Sequence, residues 1–195
     1  MNISPEQPPR LVSVEADLLD AMMVPARQGD YPRNSRAFVR IDTSLRLYWH
    51  TLFDACPGLL ELDSPDGLSI FRPFMTWAHE QRLSMNWACH LWLYRWLRES
   101  PFSSRLTPEL MLSLVGAAAA RWATADRGVD GGIAIGCADQ PELVVGWKCH
   151  SVSGGREVAC FSLEEPLPSP EDDFGWFTLP GFELDRFPGW SQIPQ

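Results

Sequence analysis

Apolar residues recur at helical spacing through the first two thirds of the chain and alternate after Asp130. Ser13 is placed to cap a short helix through about Met23, with Val14, Leu18 and Met22 on one face and Pro25 as its stop. Residues 24–42 read as loop, broken by Gly29, Pro32 and Asn34. Thr43 or Ser44 then caps a second helix to about Ala55, whose apolar positions are Leu45, Tyr48, Trp49 and Leu52. The long stretch from Pro73 to Glu99 reads as one helix opened by its proline. It has two apolar faces, one through Phe74, Trp77, Met85, Trp92 and Trp96, the other through Leu83, Trp87, Leu91 and Tyr94. A helix apolar on two sides packs on two sides, so this one is predicted to be central. Thr107-Pro108-Glu109 opens a further helix that runs to about Ala125, with Gly128 as its stop. Its small residues Gly116–Ala120 admit a close neighbour, expected to be the Trp-rich helix.

Beyond Asp130 the spacing predicts strands at Gly132–Cys137, Glu142–His150 and Arg156–Leu163, the last two joined by a turn at Ser151–Gly155. The remainder, Glu164–Gln195, is rich in proline and acid but keeps many large aromatics. A purely disordered segment seldom does so, and this tail is expected to dock on its own domain or on a partner. The predicted class is therefore α+β: an N-terminal helical bundle around a Trp-rich central helix, then a three-stranded antiparallel β-meander and an irregular acidic aromatic tail. Residues 1–12 form a flexible N-terminus, 13–163 a single domain, and 164–195 the tail.

Composition adds to this picture. The chain of 195 residues carries 9 tryptophans, which implies an aromatic-rich core. Its net charge of −9 is uneven: residues 1–100 hold 10 basic and 12 acidic side chains, residues 101–195 hold 6 and 13. Such an acidic balance works against phosphate backbones as partners. The first residues lack a basic, then apolar, signal pattern, and no apolar run nears the roughly 20 residues of a membrane span. The 5 cysteines are scattered and odd in number, unlike a secreted disulfide framework. A bacterial cytoplasmic protein without a membrane anchor is the expectation.

Motifs for chemistry are sparse. His79, Asn86 and His90 share one face of the predicted central helix, and a small enzyme with its site there is one reading. On a continuous helix the two histidines stand roughly 16 Å apart, too far to share a metal ion. His79-Glu80-Gln81-Arg82-Leu83 lacks the second histidine of a zinc-protease helix. Cys89-His90 and Cys149-His150 fit no zinc spacing and read as core cysteines. No Gly-x-Ser-x-Gly occurs, and Gly128–Gly136 lacks the Lys-Ser/Thr of a phosphate loop. No cofactor, metal or catalytic residue is assigned.

One segment stands apart. Arg27, Arg33, Arg36, Arg40 and Arg46 interleave with Tyr31, Phe38, Tyr48 and Trp49. Arginine among aromatics suits single-stranded nucleic acid, an acidic protein partner, or neutralisation by the chain's own acidic tail. The leading functional expectation is a non-enzymatic interaction protein: an adaptor, accessory subunit or inhibitor in a bacterial assembly. Its partner-binding residues are expected to be Arg33, Arg36, Arg40, Phe174, Trp176, Phe177 and Trp190. A central-helix enzyme and nucleic-acid binding through residues 27–49 are the alternatives.

Overall fold

Local side-chain chemistry sets the helix boundaries. The computed structural model describes residues 14–125, 131–138, 140–148, 157–180 and 186–195. Helix α1 spans Val14–Met23 and is followed by a 3-10 turn at Pro25–Asp30. Helix α2 spans Arg36–Phe53, beginning within the stretch expected to be loop. Its cap is Ser35, whose hydroxyl accepts the Phe38 amide at 3.1 Å, and not Thr43 or Ser44.

The expected central helix is two helices, α3 over Leu68–Glu80 and α4 over Cys89–Glu99. Pro73 does not open α3 but lies inside it, on an exposed position. The helix begins instead after Gly67, at φ 63°, where the Phe53 ring packs so closely that a Cβ would sit 2.5 Å from it. At the other end Arg82 takes a left-handed φ of 57°. The Leu83 amide reaches back to the Ala78 carbonyl and the Arg82 amide to that of His79, both at 2.9 Å. That pair of bonds is a Schellman stop, here made without glycine. Asn86 Oδ1 then accepts the Ala88 amide at 2.8 Å in the turn that leads into α4. Helix α5 spans Pro108–Ala125 as expected, with Thr107 Oγ1 accepting the Leu110 amide at 3.2 Å.

Strands β1 (Gly131–Cys137), β2 (Gln140–Lys148) and β3 (Glu157–Ser162) form the antiparallel meander. A fourth strand, β4 (Phe174–Leu179), comes from the tail and pairs antiparallel with β1, giving the order β3-β2-β1-β4. The tail is thus part of the sheet, which corrects the expectation of an irregular segment. The architecture is α+β. The expected cap at Ser13, the helix stop at Gly128, the turn at Ser151–Gly155 and the Cys149-His150 pair lie outside the described residues.

Each face of the sheet has its own cover. On the first, Ile133, Ile135, Cys137, Val144 and Phe174 join the helical core. Helix α5 lies along this face, and the close approach its small residues allow is made to β2. A Cβ on Gly146 would stand 2.8 Å from the Ala119 carbonyl oxygen, so only glycine fits there. The second face carries a smaller cluster of Ala134, Leu143, Val145, Phe177 and Leu179. Leu163, Leu167, Phe187 and Trp190, all from beyond β3, cover it. Trp190 lies over the bare backbones of Gly136 and Gly175, and its indole N–H donates to the Pro168 carbonyl at 2.6 Å. Ser191 exchanges two backbone hydrogen bonds with Trp176, at 3.1 and 2.8 Å, along the outer edge of β4. At the opposite edge, β3 leaves Val158 and Phe161 exposed. None of the described helices is long and apolar enough to cross a membrane.

Candidate partner-binding surface

The solvent face of α2 follows from its sequence phase. Ile41, Leu45 and Leu52 recur at helical spacing and are buried, as is Phe53 at its end. Arg36, Arg40, Thr43 and Leu47 therefore run along the opposite side, and all four are exposed. Val39 flanks them at 57% exposure and Leu47 reaches 65%, high values for branched apolar side chains. Arg33 stands in the turn before the helix, also exposed. Val39 and Leu47 were not anticipated as surface residues. The signal was available, since both fall out of phase with the buried stripe.

The arginines of the segment divide into two sets. Arg27 donates to Asp17 at 2.6 Å and also pairs with Asp30, and Arg46 pairs with Asp42 at 2.8 Å. The Tyr31 hydroxyl also donates to Asp17, at 2.6 Å, so this carboxylate is held below its usual range, first by Tyr31 and then by Arg27. Arg33, Arg36 and Arg40 make no ion pair among the described residues. The described acids of the tail do not pair with them. The tail's Asp173 lies at 3.5 Å from Arg95 and 2.5 Å from Arg98, both on α4. Three of the four interleaved aromatics turn inward: Trp49 stacks on Phe53 and donates to the Asp66 carbonyl, and Tyr31 and Tyr48 pack against the core.

The four tail aromatics expected at a partner surface are used within this chain. Phe174 and Phe177 are buried. Trp176 packs edge-on against Trp87 at 5.4 Å, and its indole N–H donates to the Gln192 carbonyl. Trp190 contacts Phe177 and Phe187. A strand buried on both faces needs large side chains on both, which accounts for the aromatic density of the segment.

His79, Asn86 and His90 do not share a helix face, because α3 ends between them. Asn86 is engaged in the turn that leads into α4, His79 sits half-buried on the last turn of α3, and His90 is 1% exposed. His90 Nδ1 lies 3.5 Å from Cys89 Sγ, and the ring also faces the backbone of Thr51 and Leu52. Burial, then the charge of Arg121, brings the imidazole down to about 4, and burial pushes the Cys89 thiol up to about 11. The pair is thus a thiol beside a neutral ring, the opposite of the thiolate–imidazolium pair a nucleophilic cysteine uses. Cys89, Cys56 and Cys137 are all buried, and Cys160 is exposed on β3. Under native conditions a thiol reagent is expected to modify Cys160, at a rate slowed because burial and then Glu142 hold its thiol up, and to reach Cys56, Cys89 and Cys137 only after denaturant is added. Peptide mapping after timed alkylation checks this. Among the described residues, no three His, Cys, Asp or Glu side chains converge as a metal site would require.

A family model described as methanobactin biosynthesis cassette protein MbnC-like matches residues 28–194. The chain belongs to the MbnC-like family. The MbnC-like match takes in α2, the whole sheet and the covering tail, and begins after α1. The basic face of α2 and the strap over the second sheet face are therefore both inside the MbnC-like region. No curated protein matches the chain.

Proposed function

We propose that this protein is a non-enzymatic accessory subunit in methanobactin biosynthesis, and that it acts by binding another protein of the same cassette. Membership in the MbnC-like family supplies the pathway. The solvent face of α2 carries the interaction reading. Three arginines there have no carboxylate partner among the described residues, and two branched apolar side chains stand exposed beside them. Exposed apolar area rimmed by charge marks interaction surfaces, and arginine is enriched among the residues that dominate binding energy. The state of the Cys89–His90 pair agrees with an accessory role, since its thiol is held protonated and out of solvent.

Co-expression of the full chain with each other protein of its cassette tests the proposal. The expected result is a complex of fixed stoichiometry that survives gel filtration with light scattering. The proposal fails if the chain elutes alone beside every cassette protein, or if it turns over a cassette substrate unaided.

A further inference from the structure

We infer that the solvent face of α2 receives an acidic amphipathic helix from the partner protein. The partner's carboxylates pair with Arg33, Arg36 and Arg40, and its apolar stripe lies on Val39 and Leu47. The inference rests on the accessory-subunit reading and specifies which surface is used and what chemistry meets it.

Charge is the first ground. The chain is acidic overall, with a net charge of −9, yet the three arginines have no ion-pair partner among the described residues. The carboxylates nearest in sequence are committed elsewhere: Asp17 and Asp30 to Arg27, and Asp42 to Arg46 and to the side-chain amide of Gln28. The arginines also occupy the wrong end of their helix. Arg36 is the first residue of α2, Arg33 precedes it, and the first turn contains no acid. Backbone amides already make a helix N-terminus positive, so cations there disfavour the free subunit and anions are attracted. An incoming carboxylate relieves this conflict and gains charge-assisted hydrogen bonds from guanidinium groups.

Shape is the second ground. Arg36, Arg40, Thr43 and Leu47 form a straight ridge, roughly 16 Å long at the rise of an α-helix. Val39 and Leu47 give that ridge apolar ground on which another helix can rest. A partner helix with apolar residues at i, i+4 and i+7 and glutamate or aspartate beside them matches this layout. A second copy of this chain fits worse, because the ridge of Arg36, Val39, Arg40, Thr43 and Leu47 offers no carboxylate to meet the arginines of its copy. Single-stranded nucleic acid also fits worse, because three of the segment's four aromatics, Tyr31, Tyr48 and Trp49, pack against the core, which leaves Phe38 alone for stacking.

The test uses the full chain and the cassette protein with which it co-purifies. Binding of the wild type is compared with that of the triple variant Arg33→Glu, Arg36→Glu, Arg40→Glu and of Leu47→Ser, each shown to be folded by circular dichroism. The expected result is at least about tenfold weaker binding for the triple variant, a clear loss for Leu47→Ser, and loss of most of the salt dependence with the charges. Reversing the partner's acidic residues to arginine is expected to restore binding to the triple variant. Hydrogen exchange on the wild-type complex should show protection over residues 36–47. Wild-type affinity in folded forms of both variants overturns the inference while leaving the accessory role standing. Salt-dependent binding of an oligo-dT strand, lost in the triple variant, overturns it in favour of nucleic acid. The absence of any complex with any cassette protein defeats the accessory reading itself, and this inference with it.

Discussion

Replacing Trp190 with alanine is expected to destabilise the fold by about 3 kcal/mol, the lower end for removing a large aromatic from a packed site. The lower end applies because the residue is half-buried. Two features keep the loss from being smaller. The ring lies over Gly136 and Gly175, which have no side chains to move into the space it leaves. Its neighbours Phe177 and Phe187, with ring centroids at 5.3 and 5.2 Å, lose their common contact at the same time. The Pro168 carbonyl also loses its donor. Urea unfolding followed by far-UV circular dichroism measures the change. Gly136→Ala tests the same packing from below, since its new Cβ would meet the Trp190 ring. The double variant should be far less unstable than the sum of the single variants, because each removes what the other disturbs. Additive losses would show that the ring does not rest on that glycine.

The second large effect is acid sensitivity traced to His90. The ring is neutral in the folded protein and its value is lowered to about 4, against roughly 6.5 for an unperturbed histidine. Below about pH 6.5 the unfolded chain takes up a proton that the folded chain refuses, so stability falls as pH falls. The loss spans the window down to about pH 4 and amounts to about 3 kcal/mol when complete. Above pH 6.5 this contribution is fully present. Asp17, Asp66 and Glu109 are lowered in the folded protein, so what they contribute is lost only as pH falls through and below the ordinary carboxylate values, at the acid end of this window. Urea midpoints measured between pH 7 and 4.5 should drop in the wild type. In His90→Leu they should stay nearly level, whatever the absolute stability of that variant. An equal slope in both proteins would remove His90 as the cause.

Helices α1 and α5 and the meander were legible because their signals are local. Thr107-Pro108 opens α5 in sequence and in structure, and the alternation of Leu143, Val145 and Trp147 marks β2. The break between α3 and α4 was hidden for a definite reason. A Schellman stop usually shows as glycine, and here Arg82 takes the left-handed position. Pro73 points the other way, because an exposed proline inside a helix and a proline at a helix start look alike in sequence. The start of α2 was missed because Arg36, Arg40 and Asp42 obscure the spacing of Ile41 and Leu45. Strand β4 was masked by the proline and acid around it, although Phe174-Gly-Trp-Phe-Thr-Leu179 has the aromatic content that strands favour. Of the candidate surface, the arginines were legible and their exposed apolar companions were not. Which tail residues pack at home depended on long-range pairing with β1, and no local pattern encodes that.

The position of the strap has a consequence for how the chain is made. Strand β1 lies between β2, its near neighbour in sequence, and β4, which follows roughly forty residues later. During synthesis the meander emerges first, with Ala134, Leu143 and Val145 bare on its second face. Phe177, Phe187 and Trp190 arrive afterwards to close it. For that interval the nascent protein presents an apolar sheet face and an unpaired β1 edge, the state most open to misassembly.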